Sequence, residues 1–322
     1  MAVESHRGDV GHVGQDMEDA KILNIVETGA ILGESPVWST DQGVLWWLDI
    51  KAPALHCLDP ASGRDDSWPL PEETGSIILR AGGGLLGALR SGFAVLDVGA
   101  PGMPVGVDWI GDPEPDRPLN RLNDGRADRQ GRCWAGSMHD PDGPPETYFD
   151  REPVGAFHRL DPDGSMHRMI DGILVSNGLC WSPDGTVMYT ANSPTRQMHA
   201  WDYDPATGAI ANERVFATFP EEDGRGTPDG AIVDAEGGVW VAEFRAGRVT
   251  RLTPDGDVDR MISLPASRVT CPMFGGEDLG TLYVTTARIM LTAEELAREP
   301  LAGSVFALDA GVVGLREASF PG

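Results

Sequence analysis

One unit recurs six times along this chain of 322 residues, and the repetition restricts the possible folds more than any other feature. Each copy is a turn rich in Asp, Pro or Gly, followed by a short apolar or aromatic run. The copies are STDQGVLWWLDI (39–50), RAGGGLLGALRSG (80–92), DRQGRCWAGSM (128–138), SPDGTVMYTANS (182–193), DAEGGVWVAEF (234–244) and EDLGTLYVTTA (277–287). A second turn often follows, as in LDPDG (160–164). This pattern is typical of antiparallel strands joined by tight turns.

The spacing of the copies indicates the repeat architecture. Their turn glycines are separated by 40, 48, 54, 52 and 43 residues and are Gly43, Gly83, Gly131, Gly185, Gly237 and Gly280. A four-stranded propeller blade requires about 40–50 residues. We therefore predict an all-β chain whose residues 21–322 form one domain, a six-bladed β-propeller of four-stranded antiparallel blades. Residues 1–20 contain no apolar segment of the kind found in a secretory signal, and we predict a flexible N-terminal leader there.

The two ends of the predicted propeller supply further expectations. The segment KILNIVE (21–27) is expected to pair with GSVFALD (303–309), which would close the ring and leave no exposed sheet edge. The segment LTAEELARE (291–299) carries a capping box, with Thr292 at the cap and Glu295 three residues later. We therefore predict one short surface helix between the strands of the last blade.

Charge and cysteine content exclude several classes of partner. The formal net charge of −25 disfavours nucleic acid and anionic membrane surfaces, whereas a neutral substrate or a metal cation is compatible with it. The four cysteines show no CxxC spacing, so we expect buried free thiols and a reducing compartment; they are Cys57, Cys133, Cys180 and Cys271. Without a signal or a long apolar run, we expect a cytoplasmic protein. No feature indicates an obligate protein partner.

Two segments place polar side chains among apolar neighbours. Glu34 lies between ILG and PVW, and a buried carboxylate is costly unless it is paired or bound to a metal. Arg121 and Asn123 alternate with Leu122, so both side chains point to one face of an extended segment. Their donors and acceptors suit the hydroxyls and carbonyl of a sugar. Asp124 then points the other way. The structural alternatives are a surface turn for Glu34 and a salt bridge for Arg121.

Two further segments contain Asn-Gly and Asp-Gly pairs. Asn177 precedes Gly178 in an apolar run, where it is either a turn residue or a ligand whose amide oxygen binds a hard cation. Asp229 belongs to the tripeptide Pro-Asp-Gly, a common turn that also occurs at 162–164, 183–185 and 254–256. Only the Asp229 copy opens the run AIVDAEGGVWVAEF. Spacing alone leaves a turn role and a site role equally open for Asp229.

Five motifs, taken in order, make this chain resemble the regucalcin and gluconolactonase (senescence marker protein) family. The resemblance extends from about residue 21 to residue 320. The motifs are GESPVW (33–38), RLNDG (121–125) followed by DRQGRCWAGSM (128–138), SNGLCW (176–181), PDGAIVDAEGGVWVA (228–242) and CPMFGG (271–276).

The resemblance implies a central propeller site and metal-dependent hydrolysis of a sugar-derived lactone, such as a glucono- or xylono-1,5-lactone. It places the ligands of one divalent metal at Glu34, Asn177 and Asp229, and substrate-binding residues at Arg121 and Asn123. Ca²⁺, Zn²⁺, Mn²⁺, Mg²⁺ and Fe²⁺ all remain compatible with oxygen ligands. Asp229 is the expected catalytic base toward the attacking water; activation of that water by the metal alone is the alternative.

One stretch departs from the family pattern. Some family members use an acidic residue shortly after AG-x-M, but here the chain continues His139-Asp140-Pro141-Asp142, so the position of that residue stays open. This loop and the insert GPPETYFDREPVG (143–155) are expected to shape the substrate pocket. Two other functions remain as alternatives: a Ca²⁺-binding regulatory propeller, and a metal-dependent hydrolase of organophosphates or other esters.

Overall fold

Six antiparallel sheets form a ring in the computed structural model, which describes residues 17–19, 21–141 and 152–322. The innermost strand of each sheet contacts the innermost strands of the two neighbouring sheets, and contact between the last and first blades closes the ring. The chain is therefore a six-bladed β-propeller, which confirms the architecture expected from the repeat.

The strands of the first three blades are given from the centre outward. Blade 1 contains β3 (Gly33–Ser39), β4 (Val44–Asp49), β5 (Ala54–Asp59) and β6 (Arg64–Pro69). Blade 2 contains β7 (Thr74–Leu79), β8 (Leu85–Leu89), β9 (Gly92–Asp97) and β10 (Gly106–Gly111). Blade 3 contains β11 (Asn120–Ala127), β12 (Cys133–His139), β13 (Gly155–Leu160) and β14 (Met166–Ile173).

The remaining three blades follow the same order. Blade 4 contains β15 (Ser176–Trp181), β16 (Val187–Asn192), β17 (Gln197–Asp204) and β18 (Ala209–Thr218). Blade 5 contains β19 (Thr227–Val233), β20 (Val239–Phe244), β21 (Arg248–Leu252) and β22 (Val258–Ser263), and β1 (Met17–Asp19) pairs in parallel with β22. Blade 6 contains β23 (Val269–Gly275), β24 (Thr281–Thr286), β25 (Val305–Asp309) and β2 (Ile22–Val26).

The closure of the ring and the single α-helix agree with the sequence predictions. Strand β2 pairs with β25, so the N-terminal strand completes the blade built by the C-terminal strands. Helix α1 (Ala293–Arg298) lies between β24 and β25, and Thr292 and Glu295 form both bonds of the capping box. The prediction of a flexible leader over residues 1–20 stays a prediction, because apart from β1 those residues lie outside the described part of the chain.

The core lies between the blades and is built from the apolar runs of the repeat. The second strand of three alternate blades contributes a fully buried tryptophan: Trp47, Trp134 and Trp240. The indole nitrogen of Trp240 donates to Asp234 Oδ2 at 2.8 Å, so a turn aspartate satisfies the polar atom of a core residue. All four cysteines are free, as predicted; Cys133, Cys180 and Cys271 are also buried, whereas Cys57 is half-buried because it lies on the third strand of its blade. Of the helices in the described residues, none is long and apolar enough to cross a membrane.

A β-bulge interrupts every inner strand where it pairs with the second strand of its blade. The register shifts lie between Glu34 and Val37 in β3, Thr74 and Ser76 in β7, Leu122 and Gly125 in β11, Asn177 and Cys180 in β15, Pro228 and Ala231 in β19, and Val269 and Cys271 in β23. A bulge bends a strand and redirects the side chains beside it. Four of the six bulges contain or adjoin a residue that the sequence marks as a site candidate.

Candidate functional site

The predicted site residues line one cavity at the centre of the ring. Half of the lining is polar and comprises Glu34, Arg121, Asn123, Asn177, Ser193, Thr227 and Asp229. The other half is apolar and comprises Leu32, Ile50, Met138, Val175, Phe244, Ile289 and Met290. All five residues expected to hold metal or substrate therefore share one pocket.

Glycines next to the site residues allow the inner strands to bulge and approach each other. Gly178, directly after Asn177, has φ of +66°, a conformation that side chains rarely adopt. Gly230, directly after Asp229, leaves room for the next inner strand, since a Cβ there would lie 2.4 Å from Cys271 Sγ. In the Asn-Gly and Asp-Gly pairs, each polar side chain is therefore followed by a glycine that the tight packing around the bulge requires.

Two neighbouring carboxylates in this cavity have no cationic partner. Glu34 Oε2 accepts a hydrogen bond from the Ser35 backbone at 2.9 Å, and neither Glu34 nor Asp229 forms an ion pair within the described residues. Burial raises the pKa of Glu34 to about 8, against a usual value of 4.5, and the charge of Asp124 adds to the rise. Burial and then repulsion from Glu34 raise the pKa of Asp229 well above its usual range. The cavity therefore holds two carboxyl groups whose charged forms are disfavoured by burial.

Three amide and guanidinium side chains form a continuous hydrogen-bonded row beside the carboxylates. Arg121 Nη1 donates to Asn123 Oδ1 at 2.7 Å, and Asn123 Nδ2 donates to Asn177 Oδ1 at 3.1 Å. Asn123 Nδ2 also donates to the Ser176 carbonyl at 2.8 Å. As the alternation in the sequence predicts, Asp124 points away from Asn123, and its carboxylate accepts from the Leu179 backbone at 2.9 Å.

Arg121 also belongs to a charged cluster behind the cavity wall. Its Nε donates to Asp140 Oδ2 at 2.6 Å and lies 3.6 Å from Glu73 Oε2. Lys51 and Arg90 each bridge Glu73 and Asp140. Asp140, the first acidic residue after AG-x-M, is thus buried and holds Arg121. Asp142 and the insert as far as residue 151 lie outside the described residues.

Sequence reasoning missed two polar residues of the cavity, Ser193 and Thr227. Ser193 ends the fourth copy of the repeat, SPDGTVMYTANS, and Thr227 directly precedes the Pro-Asp-Gly of Asp229. Position beside a recognised motif was the only signal for either residue. The apolar half of the wall comes from six different strands and loops. Ile50, Met138 and Phe244 each end a copy of the repeat, whereas the other four residues lie outside every motif.

The donor set fits a hard divalent cation. Among the described residues no group of three or more His, Cys, Asp or Glu side chains has a metal-site arrangement, so the two carboxylates would need a neutral oxygen beside them. Asn177 Oδ1 lies on the same cavity wall and supplies one. Carboxylate and amide oxygens are the ligands that hard cations prefer. A dication would also stabilise the charged forms of Glu34 and Asp229, which burial disfavours.

The fold and the site together define a six-bladed propeller with an acidic small-molecule pocket at its axis. Comparison with known proteins gives the family. The family described as SMP-30/Gluconolactonase/LRE-like region matches residues 32–288, and this chain belongs to it. A 6-deoxy-6-sulfogluconolactonase from Pseudomonas putida is 40% identical over 92% of this chain and 98% of its own length.

Two further relatives carry the name regucalcin. The human protein is 33% identical over 95% of this chain and 100% of its own length. The crystal structure from Agrobacterium tumefaciens, described as a calcium-binding protein, superposes with a TM-score of 0.84 at 29% identity. That superposition covers 94% of this chain and 97% of the other. The family expected from the five sequence motifs is thereby confirmed.

Proposed function

We propose that this protein hydrolyses a sugar-derived lactone, with one divalent cation held by Glu34, Asn177 and Asp229. The observation that carries the proposal is the pair of buried carboxylates, Glu34 and Asp229, which line one central cavity and form no ion pair within the described residues. A relative named as a sulfogluconolactonase covers nearly the whole chain. Lactonases are carboxylic ester hydrolases, and the chain is an enzyme of that class.

A cation bound to these oxygens supplies Lewis-acid polarisation of the lactone carbonyl. Side chains of the protein carry out the proton transfers. Asp229 accepts a proton from the attacking water as the new C–O bond forms. The proton then passes to the ring oxygen as the ester bond breaks, which releases the open-chain sugar acid. General-base action of this kind contributes about 10²–10⁴-fold to rate.

Arg121 is placed to hold the substrate. Its Nε and Nη1 are occupied by Asp140, the Leu122 carbonyl and Asn123, whereas its Nη2 has no hydrogen bond within the described residues. We assign that nitrogen as the donor to a lactone or hydroxyl oxygen. Both hydrogens of Asn123 Nδ2 are already donated inside the protein. Asn123 then acts on the substrate mainly by fixing Arg121, with the remaining lone pair of its Oδ1 open to a hydroxyl.

The lining of the cavity suits a sugar lactone. The apolar half of the cavity can cover the ring face, while the polar half meets the carbonyl. Glucono-, xylono- and 6-sulfogluconolactone are the candidates, the last because of the relative's name.

The four unpaired cysteines support a reducing compartment such as the cytoplasm. We expect no obligate protein partner.

The test is acid release from D-glucono-1,5-lactone, D-xylono-1,5-lactone and the 6-sulfo analogue by metal-stripped protein. Ca²⁺, Mg²⁺, Mn²⁺, Zn²⁺ and Fe²⁺ are added separately, and spontaneous hydrolysis is subtracted. We expect turnover that requires an added cation. Cation binding without turnover of any lactone would favour the regulatory alternative, and turnover only of an organophosphate would favour the other hydrolase.

A matched pair of variants tests the role of Asp229. Asp229→Asn should lower kcat by roughly 10³-fold or more because it removes both a ligand charge and the base. Asp255→Asn changes the same tripeptide, Pro-Asp-Gly, at an exposed turn, and should leave kcat unchanged. Circular dichroism checks that both variants fold. Near-normal turnover by Asp229→Asn would contradict the assignment.

A further inference from the structure

Ser193 connects the two strands that carry the proposed ligands Asn177 and Asp229. It is buried and begins a 3-10 turn (Ser193–Thr195) directly after β16. Its hydroxyl donates to the Pro228 carbonyl at 2.6 Å, one residue before Asp229. The same hydroxyl accepts a hydrogen bond from Asn177 Nδ2 at 2.8 Å. One side chain thereby joins inner strands β15 and β19.

The directions of these two bonds are fixed by proton counting. A serine hydroxyl has one hydrogen, and a backbone carbonyl can only accept. Since Ser193 gives its hydrogen to the Pro228 carbonyl, only its lone pairs remain for Asn177. The amide of Asn177 must therefore turn its NH₂ group toward Ser193 and its oxygen the other way. Asn123 supports the same orientation from the opposite side by donating to Asn177 Oδ1.

We propose that Ser193 is a positioning residue for the cation site. It holds the Asn177 amide with the oxygen end available to the cation, and it fixes the backbone that presents Asp229. The inference rests on the proposed function, because it assumes that Asn177 and Asp229 hold a cation. Without the hydroxyl, the Asn177 amide loses the contact that selects its orientation, and the Pro228 carbonyl loses its donor.

The expected effect is on cation affinity. Loss of a group that orients a metal ligand typically weakens metal binding by about 10–100-fold. We expect this range for Ser193→Ala, measured as the Kd of Ca²⁺ or Mn²⁺ for the full, metal-stripped chain by isothermal titration calorimetry without substrate. The matched control is Ser176→Ala. Ser176 is buried next to Asn177, but its hydroxyl has no hydrogen-bond partner among the described residues, so its removal should change Kd by less than about twofold.

A second pair of variants separates orientation from packing. Ser193→Thr keeps the hydroxyl and Ser193→Val replaces it by a methyl group in a side chain of nearly the same shape. We expect weaker cation binding by the valine variant than by the threonine variant. This comparison also serves if Ser193→Ala fails to fold. Equal Kd values for the threonine and valine variants would contradict the proposal.

A double-mutant cycle tests whether Ser193 acts through the Asn177 amide. Asn177→Asp has two equivalent oxygens and no amide to orient. In that background Ser193→Ala should weaken cation binding clearly less than it does in the wild-type chain. An equal loss in both backgrounds would contradict the proposal. Wild-type protein that binds none of Ca²⁺, Mg²⁺, Mn²⁺, Zn²⁺ and Fe²⁺ would instead contradict the proposed function, so the two failures are distinguishable.

Discussion

Blade 5 contains two buried carboxylates in adjacent strands with opposite electrostatic environments. Glu243 on β20 pairs in register with Pro228 on β19, which directly precedes Asp229. Glu243 accepts hydrogen bonds from Arg225 at 2.8 Å and from Arg248 at 2.9 Å. Burial acts to raise its pKa, but the arginines and Thr250 outweigh burial, and the pKa of Glu243 is lowered. This carboxylate is fully compensated by the protein.

Asp229 experiences the same burial without any such compensation. Burial and the neighbouring charge of Glu34 both raise its pKa well above the usual range. Burial alone therefore does not distinguish a structural carboxylate from a functional one. The presence or absence of a cationic side chain distinguishes them, because a buried charge must be balanced by the protein or by something that it binds.

The largest effect on stability is expected at Glu243, whose negative charge is balanced by arginine side chains. Glu243→Gln would remove the negative charge that faces Arg225 and Arg248, and breaking a buried ion cluster costs about 3–5 kcal/mol. Urea unfolding of the metal-free protein measures this loss. Glu236→Gln, an exposed carboxylate in the preceding turn, should change stability by less than about 0.5 kcal/mol. Equal stability of the two variants would remove the contrast between Glu243 and Asp229.

An added cation should stabilise the folded chain through the carboxylates of the central cavity, Glu34 and Asp229. At a free concentration of 100 times Kd, a ligand that binds only the folded chain adds about 2.7 kcal/mol. We expect a corresponding rise in Tm for the wild-type chain, reversed by a chelator. The double variant Glu34→Gln/Asp229→Asn should show no such rise. An equal rise in both proteins would place the cation elsewhere.

The third effect concerns the pH dependence of the metal-free protein. The pKa of Glu34 is about 8 in the folded chain, against 4.5 ordinarily. Between these values the folded state binds more protons than the unfolded state, so this contribution to stability is complete below pH 4.5 and is lost as the pH rises to about 8. Glu34→Gln removes the loss, and we expect it to stabilise the metal-free chain at pH 8 relative to the wild type.

The measurement for this prediction is urea unfolding of both proteins at pH 5 and at pH 8, in the presence of a chelator. The advantage of Glu34→Gln should appear at pH 8 and vanish at pH 5, where the wild-type carboxyl is protonated. A variant that is less stable than the wild type at pH 8 would show that the charge of Glu34 is compensated after all.

The repeat and its turns were sufficient to predict the fold. The glycine spacing set the number of blades, and the apolar runs marked their strands, because each blade is a local unit of consecutive hairpins. Ring closure was also predictable, since the strand-like segments at the two ends of the chain, 21–27 and 303–309, could pair with each other. The capping box of α1 is a purely local signal, and it predicted the helix correctly.

The sequence by itself determined the blades, the glycines that let the inner strands bulge, and the polar residues set among apolar neighbours, such as Glu34 and Asn177. Only the tertiary structure decided which Pro-Asp-Gly faces the axis, that Asp140 holds Arg121, and that Ser193 joins Asn177 to the strand of Asp229. The physical reason is distance along the chain. A blade is built from contacts between segments that are close in sequence. The site forms where inner strands of different blades come together, and these strands are far apart in sequence, so no local sequence pattern predicts their contacts.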